Sequence, residues 1–197
     1  MREAKVKRTT KETDISLFLR LEGSGKANID TGIGFFDHML DAFARHGLFD
    51  LDVNIDGDLN VDGHHSVEDC GIVLGESISQ AVGDKKGMKR YGWCVLPMDE
   101  ALVLCAVDLC GRPYFCLDGE NAILSVPKVG ELDTQLVKEF FYSVSWSAKM
   151  NLHFQILSGS NAHHCIEAMF KAFAKSLSMA VQVDPSIEGV LSTKGSL

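Results

Sequence analysis

Two segments of this chain share one sequence pattern, "DGHHSVEDCG" at residues 62–71 and "NAHHCIEAMF" at residues 161–170. After each pair of adjacent histidines, apolar residues recur at the spacing of an amphipathic helix for about five turns. Ahead of each pair lies a second predicted helix, over "FFDHMLDAF" (35–43) in the first half and "LVKEFFYSV" (136–144) in the second. A repeat of this size predicts two similar structural halves.

Segments that alternate apolar and polar residues predict β-strands between and ahead of these helices. They cover residues 15–21 and 51–55 in the first half, and 101–109 and 152–156 in the second. Each half is therefore predicted to contain strands, a helix, a further strand and a second helix, in that order. We predict an α+β fold of two pseudo-symmetric halves, residues 1–90 and 91–197, each a small β-sheet packed with two helices and both forming one functional domain.

The composition excludes several classes of protein. A net charge of −8 argues against a nucleic-acid-binding surface, which is usually basic. The longest apolar runs, such as residues 101–107, are too short to span a bilayer, and "MREAKVKRTT" lacks the apolar core of a signal peptide. We therefore expect a cytoplasmic protein without a membrane partner. The six cysteines form no C-x-x-C pair, so we expect buried, reduced thiols rather than disulfides or a zinc site.

The repeated H-H-x-x-E motif predicts a metal site. On a helix, residues i and i+4 share one face, so His64 and Glu68 can bind one ion from a single turn. His65 points about 100° away, which prevents it from joining them. The second motif pairs His163 with Glu167 in the same way, and His164 lies outside this pair.

Two motif helices that face each other would complete both sites, because each ion would take a His–Glu pair from one motif and the remaining histidine from the other. Imidazole and carboxylate ligands suit Mn, Fe, Co or Ni, with Zn as an alternative. The simpler interpretation of a single motif is a polar helix N-terminus, but two copies at matched repeat positions favour metal binding. The H-E-x-x-H spacing of zinc proteases is absent.

Further ligands lie on the preceding helices. His38 belongs to the first helix of the first half, and its counterpart in the repeat is Glu139. Either residue could supply a fourth ligand. His153, on a predicted strand, is the reserve candidate.

These residues and motifs together resemble one known family. The segments "FFDHML", "HGLFD", "DGHHSVEDCGIVLG", "PMDEAL", "DLCGRPY", "DTQLVKEFF" and "NAHHCIEAMFKAFAKSL" are similar to those of the imidazoleglycerol-phosphate dehydratases of histidine biosynthesis. The resemblance covers nearly the whole chain. It implies the monofunctional form, without the phosphatase domain found in some bacteria, and a fold that duplicates a ribosomal-protein-S5-domain-2-like unit.

The resemblance also implies cofactors, site residues and an assembly. Members of the family use two Mn²⁺ ions per subunit, and other divalent transition metals are possible. The implied metal ligands are His38, His64, His65, Glu68, Glu139, His163, His164 and Glu167, with Glu139 standing where many relatives have histidine. The implied substrate contacts are Glu12, Arg90, Arg112, Ser192 and Lys194, the last two in a C-terminal tail. The implied partner is a homo-oligomer of 24 subunits built from trimers, with each metal bridging subunits.

The implied reaction is the dehydration of imidazoleglycerol phosphate to imidazole-acetol phosphate, catalysed by a hydro-lyase. Bound metals would act as Lewis acids, and Glu12 or Glu167 would move the carbon-bound proton. Arg90, Arg112 and Lys194 would bind the phosphate. Asp99 would contact residues that bind the metal, without binding the metal itself. Two other functions remain open on the residues alone, a two-metal phosphoester hydrolase and a metal-storage shell.

Overall fold

A computed structural model describes residues 1–197, and it begins with four strands and two helices. These are β1 (Glu3–Thr9), β2 (Thr13–Arg20), β3 (Ala27–Asp30), α1 (Gly34–Gly47), β4 (Asp50–Gly57) and α2 (His64–Val82). The second half repeats them as β5 (Tyr91–Met98), β6 (Ala101–Asp108), β7 (Tyr114–Asp118), α3 (Leu136–Ala148), β10 (Asn151–Ser158) and α4 (Ala162–Ala180). A 3₁₀ turn (Glu120–Ala122) and a short hairpin of β8 (Lys128–Val129) and β9 (Leu132–Asp133) are inserted before α3.

The two sheets have the same topology. Their strand orders are β1-β2-β4-β3 and β5-β6-β10-β7. In each sheet the first three neighbouring strands pair antiparallel, and the last pair, β3 with β4 or β7 with β10, is parallel. The predicted α+β fold of two similar halves is therefore confirmed, while a boundary between residues 90 and 91 stays a prediction.

The helices lie between the two sheets and form one hydrophobic core with them. Helices α1 and α2 pack on the first sheet, and α3 and α4 pack on the second. Across the middle, α2 packs against α3 and α1 packs against α4. Phe140 is central to this layer, with its ring centroid 5.2 Å from that of Phe36 and 5.3 Å from that of Phe170. Burial of such side chains is the main source of stability for this arrangement.

Two glycines allow α2 and α3 to approach closely. A Cβ atom added at Gly71 would lie 2.6 Å from the carbonyl oxygen of Phe140, and one at Gly75 would lie 2.7 Å from that of Val144. Real Cβ atoms do not approach backbone so closely, so any larger residue would push the helices apart. The matching positions of α4 hold Phe170 and Ala174, so α4 lacks the two glycines that α2 presents to α3.

The expectation of buried thiols is met at four of the six cysteines, while Cys94 and Cys116 are half-buried. All six cysteines are free thiols, and burial raises the pKa of Cys70 and Cys105. Asn161 caps α4, because its side chain accepts hydrogen bonds from the backbone N–H groups of His163 and His164. No helix of the chain has both the length and the apolar character that a membrane crossing requires.

Candidate metal centre and active site

Three ligand-type side chains converge between α1 and α4. The Nε2 atom of His163 lies 3.1 Å from Oε2 of Glu167, and Nε2 of His38 lies 3.6 Å from the same oxygen. The ligating atoms of all three residues lie within 4.8 Å of one another. The structure thus joins the His–Glu pair of the second motif to the histidine of "DHM", which is one of the two alternatives left open for a fourth ligand.

Local packing holds this cluster in place. The N-terminus of α4 is fixed by its Asn161 cap, and the ring of Phe35 on α1 packs 4.9 Å from the ring of His163. Because His38 lies one turn after Phe35 on α1, the same helix contact brings its imidazole towards Glu167. The apolar helix faces predicted from the sequence therefore also orient the ligands.

Glu167 is buried, and its two oxygen atoms face different partners. Oε2 faces the two histidines, whereas Oε1 lies 2.6 Å from the ammonium group of Lys171, one turn further along α4. Burial alone would raise the pKa of this carboxyl group, but the hydrogen bond and charge of Lys171 outweigh it, with a further contribution from His163. The net result is a pKa below the ordinary value, so the Glu167 carboxyl group is ionised at neutral pH.

The first motif forms a more open half-site. Nε2 of His64 lies 3.4 Å from Oε2 of Glu68, and both side chains are 44% exposed. Helix α3 runs alongside α2 in the same direction, since Gly63 faces Leu136 and Gly71 faces Phe140. Glu139 is placed on α3 as His38 is placed on α1, but no third ligating atom joins His64 and Glu68 within the distance seen in the other cluster.

The remaining histidine of each motif is held by a carboxylate. Nδ1 of His65 lies 3.0 Å from Oδ2 of Asp58, and Nδ1 of His164 lies 2.7 Å from Oε2 of Glu100. These hydrogen bonds raise the pKa of both imidazoles, and the bond from His164 is the main reason that the pKa of Glu100 falls to about 2. Orientation by a carboxylate on one ring nitrogen is typical of metal-binding histidines.

The other ring nitrogens face acidic side chains on hairpin turns. Nε2 of His65 lies 3.8 Å from Oε1 of Glu12, in the turn between β1 and β2. Nε2 of His164 lies 3.7 Å from Oδ2 of Asp99, in the matching turn between β5 and β6. Glu12 and Asp99 therefore occupy equivalent places in the two halves, a relationship that the low sequence similarity of these turns concealed.

The two motif helices do not face each other within one chain. Helix α2 packs against α3 and α4 packs against α1, so His65 and His164 remain outside the two His–Glu clusters of their own chain. Within one chain the motif helices therefore do not face each other directly, because the apolar faces of these helices pair each of them with a different neighbour; whether they face each other between subunits stays a prediction. His153 also lies apart, stacked on the Tyr114 ring at 5.5 Å between β10 and β7.

Four of the five implied substrate contacts line one cavity. Arg90, Arg112, Ser192 and Lys194 surround a space of about 370 Å³ between β5, the loop after β6 and the C-terminal tail. Glu12 is not part of this lining.

Arg90 is committed to partners within the chain. Its guanidinium group makes two hydrogen bonds to Asp108, at 2.6 and 3.0 Å, and donates a third, at 2.8 Å, to the backbone carbonyl of Leu191. The hydrogen bond with Asp108 is also the main reason that the pKa of Arg90 is raised. Arg90 thus anchors the start of the tail, while Arg112 and Lys194 have no such partner within the chain.

Sequence reasoning missed three residues that organise the site: Asp58, Glu100 and Lys171. Acidic residues in turns and a lysine on a helix are usually solvated, so their spacing carried no signal. The signal for Lys171 was available in part, because an i, i+4 Glu–Lys pair on a helix is a known stabilising arrangement.

The donor set suits a divalent transition metal. Two imidazole nitrogens and one ionised carboxylate oxygen converge from two rigid helices, with a pre-oriented histidine on each motif. First-row transition metals favour this mixture of nitrogen and oxygen ligands. The chemistry of the residues is therefore compatible with a metal-dependent enzyme.

Comparisons of the sequence with known proteins all point to one family. The sequence model of the family described as imidazoleglycerol-phosphate dehydratase matches residues 31–177. The proteins of that name from Lachnoclostridium phytofermentans and Acetivibrio thermocellus are 59% and 58% identical, each over 100% of this chain and 98% or 99% of their own length.

Solved structures give the same result. The crystal structure of imidazoleglycerol-phosphate dehydratase from Staphylococcus aureus superposes with a TM-score of 0.82 at 37% identity, over 92% of this chain and 99% of that chain. The Pyrococcus furiosus enzyme, in complex with (S)-C348, also gives a TM-score of 0.82, at 36% identity over 98% and 100% of the two chains. The chain belongs to the imidazoleglycerol-phosphate dehydratase family, whose members are hydro-lyases.

Proposed function

We propose that this chain catalyses the metal-dependent dehydration of imidazoleglycerol phosphate to imidazole-acetol phosphate in histidine biosynthesis, with two Mn²⁺ ions per subunit. The observation that carries the metal dependence is the convergence of His38, His163 and Glu167 in a chain of this family. Two equivalent half-sites in the repeat support a count of two. Other divalent transition metals would fit the same donors.

The reaction breaks a C–H bond and a C–O bond and releases one molecule of water. A metal ion bound at this centre supplies Lewis-acid stabilisation of negative charge on the substrate. The chain must supply a base for the carbon-bound proton, an acid for the departing hydroxyl group and contacts that orient both bonds.

Glu12 suits the role of the proton-transfer group better than Glu167 does. The Glu12 side chain is 53% exposed at the tip of a hairpin and has only a long contact with His65. Glu167, in contrast, is buried with one oxygen bound by Lys171 and the other directed at two histidines. A carboxylate with both oxygens engaged has little capacity to accept a proton from a substrate carbon.

The cavity beside the C-terminal tail suits the phosphate group. Arg112, Ser192 and Lys194 offer a guanidinium fork, a hydroxyl group and an ammonium group around one space. Because Arg90 is neutralised by Asp108, its contribution is to hold the tail and complete the wall of this cavity.

Completion of each site by a neighbouring subunit belongs to the same proposal. His65 and His164 are oriented by carboxylates but lie apart from the His–Glu clusters of their own chain, which leaves them to serve clusters of other copies. We infer a homo-oligomer built from trimers, 24 subunits in total, in the cytoplasm.

Metal analysis of the purified protein together with a dehydration assay tests this function. We expect about two ions per chain and formation of imidazole-acetol phosphate that stops when the metal is removed. Release of inorganic phosphate instead would favour a phosphoester hydrolase, and many ions per chain would favour metal storage. Full turnover in a metal-free preparation would contradict the proposal.

A further inference from the structure

The two His–Glu half-sites of the chain repeat each other in position but differ in charge. In the site between α1 and α4, the ligand carried by α1 is His38, and the negative charge of Glu167 is balanced by Lys171. In the half-site between α2 and α3, the repeat places Glu139 on α3 at the position that His38 has on α1, and Glu68 of α2 lies 3.4 Å from His64 without a lysine or arginine partner. If the imidazoles are neutral, the formal charge of Glu167 together with Lys171 in the first site is zero. The formal charge of Glu68 together with Glu139 in the second site is −2.

The cation that balances the first site has no counterpart in the second. The residue of α2 that corresponds to Lys171 is Ile72, which carries no charge. Lys138 lies next to Glu139 in the sequence, but its ammonium group is bound at 2.8 Å by Glu120. Asp37, beside His38, is not part of the converging ligand set, and its Oδ1 accepts hydrogen bonds from the backbone N–H and hydroxyl group of Thr31.

The contact with Lys171 also restricts how Glu167 can bind an ion. Oε1 lies 2.6 Å from Nζ of Lys171, so only Oε2 is directed at the two histidine nitrogens. Glu167 is thus oriented as a ligand through one oxygen, in a site with more nitrogen than oxygen donors. Glu68 has no lysine partner, and both of its oxygens remain available.

We propose that the two metal sites of each chain are unequal, with the α2–α3 site binding Mn²⁺ more tightly and Lys171 and Glu139 setting the difference. This inference rests on the proposed function, because it takes both half-sites as metal sites. Mn²⁺ is a hard cation that favours carboxylate oxygens and negative charge, which the α2–α3 site provides. Lys171 repels the ion from the α1–α4 site while it keeps Glu167 in position, so it acts as a positioning residue.

Equilibrium dialysis of the metal-free full-length protein against Mn²⁺ tests the inference without reference to turnover. We expect two classes of site, each holding about one ion per chain, with dissociation constants that differ by about tenfold or more. Lys171→Gln keeps a hydrogen-bond donor but removes the charge, and it should tighten the weaker class by on the order of tenfold. Glu139→Gln should weaken the tighter class by a similar factor and leave the weaker class unchanged.

Two further variants control for changes in packing. Lys171→Arg retains the positive charge and should restore binding close to that of the parent. Lys175→Gln removes an exposed positive charge one turn further along α4, at a residue that does not contact Glu167, and it should leave both classes unchanged. A single class of site in the parent, or a weaker class that Lys171→Gln does not tighten, would overturn the inference.

The result separates this inference from the proposed function. Two unequal classes that respond to Lys171→Gln, in a protein without dehydratase activity, would support the unequal sites and reject the proposed reaction. Dehydration by a protein with two identical sites would support the reaction and reject the inequality.

Discussion

The hydroxyl group of Thr13 donates a 2.6 Å hydrogen bond to Oδ2 of Asp69, which ties the β1–β2 hairpin to the helix of the first H-H-x-x-E motif. Arg8, on the other strand of the hairpin, donates to Oδ1 of the same carboxylate at 3.0 Å. Glu12 lies in the turn between these two anchors. The position of a candidate catalytic group is therefore fixed by a buried carboxylate one residue after the motif, and the matching residue of α4 is Ala168.

Asp69→Ala should reduce both stability and turnover. The variant leaves the Thr13 hydroxyl and the Arg8 guanidinium without their acceptor, and we expect the free energy of unfolding to fall by about 2 kcal/mol. Turnover should fall further than metal content, because the hairpin that carries Glu12 loses its anchor. Urea unfolding, metal analysis and steady-state kinetics check this, with exposed Asp56→Ala as the control. Unchanged turnover in folded Asp69→Ala would contradict the anchoring role.

Glu12→Gln should retain metal and substrate binding while turnover falls by about 10²–10⁴, the usual contribution of general acid–base catalysis. The amide has nearly the same shape as the carboxylate but cannot accept the proton. Lys11→Gln, in the same exposed turn, provides the matched control for disturbance of the hairpin. A Glu12→Gln rate near that of the parent would transfer the proton-transfer role to another group, with Glu167 as the first to test.

His163→Ala should lose metal as well as turnover, because it removes one of three converging ligands. His153→Ala changes the same residue type at a position stacked on Tyr114, away from the cluster, and should keep both. Metal content per chain, measured after gel filtration in metal-free buffer, separates the two outcomes. If His153→Ala were the variant that lost metal, the assignment of the centre to α1 and α4 would be wrong.

Arg112→Ala and Lys194→Ala should weaken binding of the phosphorylated substrate by about 2–5 kcal/mol, with the smaller effect in the tail. Both residues line the proposed phosphate cavity, so a free imidazole ligand without phosphate should bind the variants and the parent equally. Lys86→Ala, whose partner is the exposed Asp84, is the control for loss of a surface cation. Equal loss of imidazole binding would show that these residues act on the ring site or the fold.

Chelation of the metal should convert the assembly into smaller species and abolish turnover, since ligands of different subunits would meet at each ion. Light scattering before and after chelation, and again after addition of Mn²⁺, measures the change and its reversal. A full-size assembly that persists without metal would show that other contacts between subunits suffice. An active monomer would reject shared sites altogether.

Much of the fold followed from local patterns in the sequence. The apolar spacing behind His64 and His163 predicted α2 and α4, and alternation predicted the central strands of both sheets, because helices and strands bury their faces with different periods. The short elements before α3 were not predicted, since two-residue strands carry no periodic signal. The motif itself identified the His–Glu pairs, because i and i+4 are neighbours on any helix.

Partners that lie far apart in the sequence were decided only by the tertiary structure. The sequence alone determined that two similar halves exist and that each carries a His–Glu pair and a separate histidine. It left open whether His38 joins the second pair, and it gave no sign that Asp69 would anchor the turn of Glu12. Those relationships depend on which elements pack together, and packing is decided by the shapes of buried residues, such as the ring of Phe140 and the missing side chain of Gly71, rather than by local periodicity.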